Sequence, residues 1–234
     1  MLSKALRLRY RGISHRIRFQ SLFNSNHTKK QLQQLHELPG VIFVIGGPGC
    51  GKGTQCQLIS QSYDDIQHIS AGDLLRNEIK TGSKNGKLIA NILDKGKIVP
   101  VSITLDLLKK QMLVLNSKRY LIDGFPRNED NLSGWNDSHM ENFCRVECCL
   151  YFEVSNNEIQ RRLLNRGKTS GRSDDNLTTV QRRIATHNEV TKHIVNYFDD
   201  KSLLKRINGE QSVNDVQRDV NNVIAPLLEK RENE

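Results

Sequence analysis

A glycine-rich turn that follows a continuously apolar run is the feature that most constrains this chain. Residues 41–45 read VIFVI and residues 46–55 read GGPGCGKGTQ. A short run rich in β-branched residues predicts a buried strand, and the segment after the turn has the pattern of a helix. A glycine-rich turn between a strand and a helix can direct several backbone N–H groups at one point, and the helix N-terminus adds its positive dipole end. The feature therefore predicts a phosphate-binding site.

The turn matches the P-loop pattern as far as its lysine. Gly46 and Gly51 take the two glycine positions, and Lys52 would bring a full positive charge to the β and γ phosphates of a nucleotide. The Ser or Thr that usually follows the lysine is replaced by Gly53, and Thr54 comes one residue later. The alternative is a structural turn without a ligand. The predicted strand before the turn and the predicted helix after it favour nucleotide binding.

The order of apolar runs along the chain predicts an α/β fold. Helical segments separate five β-rich runs, which are VIFVIG (41–46), QHIS (67–70), RYLID (119–123), VECCLYFEV (146–154) and LLKRING (203–209). This alternation is typical of a parallel sheet covered by helices on both faces, a three-layer arrangement. One helix is expected to begin at Ser155, which would form a capping box with Glu158.

The positive charge of the chain is concentrated at its N-terminus. The 234 residues contain 35 Lys and Arg against 26 Asp and Glu, a formal net charge of +9. Eight of the basic residues and none of the acidic ones lie within residues 1–36, so the remainder has 27 basic and 26 acidic residues. A basic body would suggest nucleic-acid binding. Because only the tail is basic, we expect no nucleic-acid partner for the folded part.

Residues 1–38 are expected to lie outside the fold, as a basic extension that ends near Leu38-Pro39-Gly40. An Arg-rich, acid-free segment with apolar residues on one helical side has the composition of a mitochondrial transit peptide. The alternatives are a disordered extension on a cytosolic enzyme and an arm that binds nucleic acid or a membrane surface. No membrane span is expected, because no apolar run approaches the roughly 20 residues that a span requires.

The cysteines are expected to be reduced and buried. They show no C-x-x-C pair and no metal-ligand spacing with histidine, and they lie in or beside predicted strands and the P-loop; they are Cys50, Cys56, Cys144, Cys148 and Cys149. Redox activity of the P-loop cysteine or of the adjacent pair at 148 and 149 stays open, and core packing is favoured.

Further stretches contain groups suited to phosphate. Asp123 ends a predicted strand, where open parallel sheets bind ligands, and an acid there can hold Mg²⁺, commonly through water. Arginines follow at positions 76 and 127, within the segment 161–172 and at 182–183. Planar guanidinium groups suit phosphate oxygens, and phosphoryl transfer depends mainly on positioning and charge neutralisation. The glycine-containing segment around 166–176 is typical of a mobile flap that excludes water.

Together these motifs resemble those of the nucleoside monophosphate kinases of the adenylate kinase family. The resemblance rests on GGPGCGKGTQ, SAGDLLR, GKIVP (96–100), IDGFPRNEDNLSGW (122–135) and RGKTSGRSDDN (166–176), and it extends from about Val41 to the C-terminus. It implies a P-loop fold with a five-stranded parallel sheet over residues 39–234, with an inserted acceptor-binding lobe near 70–100 and a short lid near 166–176. ATP with Mg²⁺ would be the phosphoryl donor. Nothing in the sequence demands more than a monomer.

The resemblance also implies roles for individual residues. The ATP phosphates would be held by the P-loop residues Gly49, Cys50, Gly51, Lys52, Gly53 and Thr54, and the adenine would stack on Arg162. The acceptor monophosphate would contact Ala71, Arg76, Ile98, Gly124, Arg127 and Asn131, with the two arginines on its phosphate and the asparagine on its base. Arg166, Arg172 and Arg183 would close on the transferring phosphoryl group, where Lys52 and Arg127 also act. Asp123 would orient the hydrated Mg²⁺.

Two positions within the resemblance concern the acceptor base. Adenylate kinases typically have Thr where this chain has Ala71, and a base-reading Gln where it has Asn131. A shorter amide and a smaller side chain suit a pyrimidine ring, and the continuation NEDNLSGW resembles the eukaryotic UMP-CMP kinases. The expected reaction is therefore ATP-dependent phosphorylation of CMP and UMP, with dCMP as a further acceptor, in pyrimidine nucleotide biosynthesis. The alternative is an adenylate kinase acting on AMP.

Some residues depart from the pattern of the family. Cys50 replaces the usual Ala or Ser, and His187 and His193 stand where a Tyr and a Pro are expected. Both histidines are expected to lie outside the phosphate contacts and to affect helix packing only. Two alternatives of other classes stay open: a nucleotide-binding regulator that no longer transfers phosphate, and a nucleic-acid-binding protein that acts through its tail. The usual setting of the family is cytoplasm and nucleus.

Overall fold

The structure, a computed structural model, describes residues 38–169 and 174–232. The strands are β1 (Gly40–Gly46), β2 (Ile66–Ser70), β3 (Arg119–Asp123), β4 (Arg145–Glu153) and β5 (Leu204–Asn208). The helices are α1 (Lys52–Ser62), α2 (Ala71–Lys80), α3 (Lys84–Asp94), α4 (Val101–Leu115), α5 (Glu129–Asp137), α6 (Asn156–Gly167), α7 (Leu177–Asp200) and α8 (Val213–Glu232). The predicted extension up to residue 37 and residues 170–173 of the predicted lid lie outside the described residues.

The five strands form one parallel sheet in the order β2-β3-β1-β4-β5. The α/β fold and all five predicted strands are confirmed, each within one residue at either end. β1 is the central strand, and the strand order reverses around it. At such a switch point the loops at the carboxyl ends of neighbouring strands diverge and leave a crevice for a ligand.

The core lies on both faces of the sheet, because alternate residues of a strand point to opposite sides. Phe43 of β1 packs on one face against Trp135 of α5 and Phe198 of α7, with the Phe43 and Trp135 rings 4.9 Å apart between centroids. The neighbouring residue Val44 belongs to the cluster on the other face, which includes Ile224 of α8. Helices therefore cover both faces, and the predicted three layers are present.

A small separate core holds the segment between β2 and α4. Leu75 of α2, Ile89 of α3 and Val99 form an apolar cluster apart from those on the sheet. The segment begins at Ser70, whose side chain caps α2 by accepting a hydrogen bond from the Asp73 N–H. The region expected to bind the acceptor therefore has a small apolar cluster of its own.

The capping box predicted for α6 does not form. Ser155 precedes the helix as expected, but its side chain caps no helical N–H. Glu158 pairs instead with Arg161 at 2.7 Å and Arg162 at 2.6 Å. Charge-assisted bonds to two guanidinium groups are stronger than a bond to one neutral amide. The Ser155 N–H donates to Glu210 at 2.8 Å, so a carboxylate from after β5 takes the expected place of Glu158.

All five cysteines are free and buried, as the sequence predicted. Burial raises the pKa of the Cys144 and Cys148 thiols to about 12, which keeps both protonated near neutral pH. In the part of the chain that the structure describes, no helix is both long and apolar enough to cross a membrane.

Candidate active site

A cavity of about 430 Å³ lies at the carboxyl ends of the central strands. It is lined by the turn after β1, the start of α2, the turn after β3, and residues of α6 and α7. Segments far apart in sequence therefore meet at one sheet edge, as the strand order requires. The predicted site residues that line it are Gly49, Gly51, Lys52, Gly53, Thr54, Arg76, Ile98, Asp123, Gly124, Arg127, Arg162, Arg166 and Arg183.

Four predicted site residues are not seen in this lining. Arg172 lies outside the described residues. Cys50, Ala71 and Asn131 are each at most 3% exposed and do not line the cavity. The Asn131 side-chain oxygen accepts a hydrogen bond from the Arg127 N–H at 3.1 Å, so the amide supports the turn that carries this arginine. The predicted contact between Asn131 and a base stays a prediction.

The glycine-rich turn has the backbone conformation that only glycine adopts readily. Gly51 lies immediately before α1 with φ 97°, and Gly49 has φ 78°. A Cβ at Gly46 would lie 2.7 Å from the Phe152 carbonyl oxygen, so the turn fits closely against β4. The turn thus brings backbone N–H groups and the N-terminus of α1 to the cavity, an arrangement that favours anions.

Lys52 lies over this turn, where it donates hydrogen bonds to backbone carbonyls and a cysteine sulfur. Its Nζ donates to the carbonyl oxygens of Gly46 and Gly47 at 3.0 and 2.8 Å, and to the Cys50 sulfur at 3.3 Å. None of these groups carries a formal negative charge. A phosphate oxygen would be a stronger partner for the ammonium group, so the residue is placed to exchange them for a ligand.

Arg127 lines the same cavity and has other cations nearby. Its Nε donates to the Gly124 carbonyl at 2.7 Å, which aims the guanidinium group. Burial lowers the pKa of Arg127, as do the charges of Arg183 and Arg76, while Asp123 acts in the opposite direction. Guanidinium groups that lack enough counter-charge are stabilised by an incoming anion, and a phosphate supplies it.

The arginines of the lid region are anchored by two acidic residues. Arg166 makes a bidentate pair with Asp175, with both contacts at 2.7 Å. Arg183 pairs with Asp174 at 2.8 Å and with Asp175 at 3.0 Å. The Asp175 side chain is fully buried, so it fixes both guanidinium groups at the cavity wall. Such bidentate pairing holds planar groups in defined orientations.

Arg162 forms the edge of the cavity next to the P-loop. Its Nε donates to Glu158 at 2.6 Å and one terminal nitrogen donates to the Gly209 carbonyl at 2.9 Å. Two in-plane bonds leave the flat face of the guanidinium group available. An aromatic base can stack on such a face, in agreement with the predicted adenine contact.

Asp123 is suited to hold a hydrated magnesium ion. Burial would raise the pKa of its carboxyl, but the nearby His68 ring and the Lys52 charge outweigh this effect and keep the pKa below its usual value. The His68 Nε2 atom lies 3.6 Å from the carboxylate, just beyond hydrogen-bond distance, and is buried without a partner. Mg²⁺ is commonly bound by one carboxylate, several waters and substrate phosphates, and these groups fit that pattern.

His187 is expected to affect helix packing and to make no phosphate contact, but the structure brings it to the cavity. The His187 ring lines the cavity, and its Cδ2 atom lies 3.5 Å from where a Cβ on Gly47 would be. The spacing of four residues between Arg183 and His187 on one helix could have shown this, because residues at i and i+4 share a face. His193 is exposed and does not line the cavity, and its predicted place outside the site agrees with this.

Comparison with known proteins agrees with this geometry. The sequence model of the family described as adenylate kinase matches residues 44–203. The UMP-CMP kinase of Danio rerio is 46% identical over 192 residues, which cover 80% of this chain and 97% of that protein. The UMP-CMP kinase of Homo sapiens is 46% identical over 184 residues, which cover 76% of this chain and 93% of that protein. UMP-CMP kinase 3 of Arabidopsis thaliana is 41% identical over 196 residues, which cover 83% of this chain and 93% of that protein. The chain therefore belongs to the adenylate kinase family, and within that family to the group of UMP-CMP kinases.

Proposed function

We propose that this protein transfers the γ-phosphoryl group of MgATP to CMP or UMP, giving MgADP and CDP or UDP. The observation that carries the proposal is that two groups of residues suited to phosphate line one cavity, and we assign the donor to the first and the acceptor to the second. Lys52 and the P-loop form the first, and Arg76 and Arg127 form the second. The relatives named UMP-CMP kinase support pyrimidine monophosphates as the acceptors.

The residues of the chain suit an in-line transfer without a covalent intermediate. Lys52 and the P-loop N–H groups would hold the donor phosphates, and Arg127 would hold the acceptor phosphate opposite them. Arg166 and Arg183 would exchange their carboxylate partners for the oxygens of the moving group. Asp123 would hold the hydrated Mg²⁺ that accompanies ATP and neutralises phosphate charge when bound. Positioning and charge neutralisation of this kind account for most of the catalysis in phosphoryl transfer.

Acceptor choice is proposed to depend on Asn131 and Ala71. Both are buried next to residues that line the cavity, and Asn131 contacts the backbone of Arg127. A change at Asn131 would therefore act on the phosphate arginine as well as on the base. The same pocket would admit dCMP. An adenylate kinase acting on AMP is the second candidate, and Asn131 and Ala71 argue against it.

The test is a coupled assay of ADP production by the full chain. MgATP would be supplied with AMP, CMP, UMP, dCMP or GMP in parallel. We expect kcat/KM for CMP and UMP to exceed that for AMP by roughly 100-fold, because a site that hydrogen-bonds one base leaves polar groups unpaired with another. A preference for AMP would overturn the acceptor assignment and leave phosphoryl transfer intact. Nucleotide binding without turnover would instead support a regulator.

We also propose that residues 1–38 direct the protein to mitochondria as a transit peptide. The support is the Arg-rich, acid-free composition of residues 1–36. A fluorescent protein carrying residues 1–38 should accumulate in mitochondria, and the same fusion with the five arginines and three lysines changed to glutamine should not. A diffuse signal from both fusions would favour a protein of cytoplasm and nucleus.

We propose that the protein is a monomer, which sedimentation analysis would test.

A further inference from the structure

His187 lies at the junction between the donor side and the acceptor side of the cavity. It is one helical turn after Arg183 on α7, and its ring packs against Gly47 of the P-loop. Gly47 is also the residue whose carbonyl accepts the shortest bond from Lys52, at 2.8 Å. The ring is therefore within a few ångströms of the place where bound phosphates replace the partners of Lys52.

The orientation of the ring is set by Thr191. The Thr191 hydroxyl and the His187 Nδ1 atom are 2.7 Å apart, and the threonine is 7% exposed. The Cδ2 atom, which is bonded to Nε2, is the ring atom nearest to the position that a Cβ on Gly47 would take. The Nδ1 edge thus faces Thr191 and the opposite edge faces the P-loop. When the threonine hydroxyl donates to Nδ1, the proton of a neutral imidazole resides on Nε2.

The charges around the ring keep it neutral in the absence of a ligand. Burial lowers the pKa of His187 to about 4, aided by Lys52 of α1 and Arg127 after β3. The same cavity is lined by three carboxylates, those of Asp73, Asp123 and Asp174. Its two lysines and five arginines outnumber them. A neutral N–H donor contributes a hydrogen bond here without adding to the repulsion among the arginines.

We propose that His187 is a further ligand-contacting residue of this site, whose Nε2–H donates a hydrogen bond to an oxygen of the phosphate chain bound between the P-loop and Arg127. Thr191 acts as a positioning residue by holding the Nδ1 atom as an acceptor. The identity of the ligand rests on the proposed function. No proton is transferred, because the ring donates a hydrogen bond and keeps its proton.

The first test follows the ring directly by NMR in the full chain labelled with ¹⁵N-histidine. The sample would be titrated with the β,γ-imido analogue of MgATP together with CMP, and calorimetry would measure binding of both. We expect Nδ1 to stay unprotonated, the Nε2 resonance to move, and the pKa of His187 to rise by more than about one unit as the phosphate charges offset the nearby cations. The exposed His193 on the same helix is the internal control.

The second test compares three variants in the kinase assay. His187→Leu should lower kcat by about tenfold or more with little change in KM, as expected when a donor to the reacting phosphates is lost. His187→Gln, whose amide N–H reaches near the former Nε2 position, should recover activity to within roughly threefold of the wild type. His193→Gln should behave as the wild type. If His187 had only a structural role, its replacement would lower stability, and activity would not depend on a hydrogen-bond donor at this position.

The outcomes separate this inference from the proposed function. Binding of both ligands with an unchanged Nε2 resonance and an unchanged pKa overturns the role of His187 and leaves nucleotide binding intact. Equal losses of kcat in His187→Gln and His187→Leu, with stability also equal, overturn it as well. Failure of the analogue and CMP to bind at all overturns both the proposed function and this contact.

Discussion

Individual side chains in this cavity are held ready by partners that a phosphate can replace. Lys52 rests on neutral carbonyl oxygens, whereas Arg166 and Arg183 rest on Asp175. Arg127 has a backbone carbonyl as its nearest acceptor and cations as neighbours. The energy of ligand binding therefore comes from exchanging weak or shared partners for strong ones, and an arginine contributes less the stronger the partner that it gives up.

Replacing Arg127 by alanine tests this argument at its strongest point. We expect kcat/KM with CMP to fall by about 100-fold or more, because the acceptor phosphate loses a guanidinium group fixed by Gly124. The thermal midpoint of unfolding should change by only a few degrees. Arg218→Ala on the exposed side of α8 is the matched control and should have wild-type activity. A loss smaller than tenfold would show that Arg127 does not hold the acceptor phosphate.

His187 should also make stability depend on pH. Its pKa is about 4 in the folded chain and about 6.5 when exposed, so between these values the unfolded state takes up a proton that the folded state does not. The free energy of unfolding should therefore decrease as the pH falls from 7 towards 4. Urea unfolding at pH 7 and pH 5 should show that His187→Gln loses less stability than the wild type, by about 2 kcal/mol. Equal losses in the two proteins would mean that the ring is not kept neutral by its surroundings.

Helices and strands place these side chains by simple geometric rules. The carboxyl ends of β1, β2 and β3 bring the P-loop, the cap of α2 and Asp123 to one edge because the strands are parallel. The periodicity of α7 places Arg183 and His187 on one face. These consequences follow from sequence spacing once the elements are known. Pairings between segments distant in sequence, such as Glu210 with the start of α6, do not follow from spacing.

Asp174 and Asp175 connect α6 to α7 through salt bridges with Arg166 and Arg183. Asp175→Asn keeps the shape of the side chain and removes the charge that binds Arg166 and Arg183. We expect kcat to fall by about tenfold and the free energy of unfolding to fall by about 2 kcal/mol, because two buried guanidinium bonds are weakened. Asp137→Asn at the exposed end of α5 is the control. An unchanged kcat with lowered stability would limit Asp175 to a structural role.

The whole molecule separates a nearly neutral body from a basic N-terminal segment. Residues 38–234 form one compact unit, whereas eight of the 35 basic residues lie within residues 1–36. Phosphate binding in the body therefore arises from a local concentration of arginines in one cavity rather than from net charge. We therefore expect salt-dependent binding to polyanions to come from the N-terminal segment.

Deleting residues 1–37 tests this division. The shortened chain should keep kcat and KM for CMP within twofold and the same thermal midpoint. Weak binding of the full chain to DNA, measured at low salt, should disappear on deletion, because the remaining net charge is close to zero. A large loss of activity on deletion would place part of the N-terminal segment in the active enzyme. DNA binding that survives deletion would show that the folded part also binds DNA.

The sequence by itself determined the succession of strands and helices along the chain, the P-loop and most of the cationic residues of the cavity. These features are local: alternating apolar runs, glycines with special dihedral angles and residues at fixed spacing. Only the tertiary structure decided that Asn131 and Ala71 are buried outside the cavity lining, and that Glu210 instead of Glu158 accepts the hydrogen bond from the Ser155 N–H. Each of these depends on which distant segment packs against the residue, and local spacing carries no information about that neighbour.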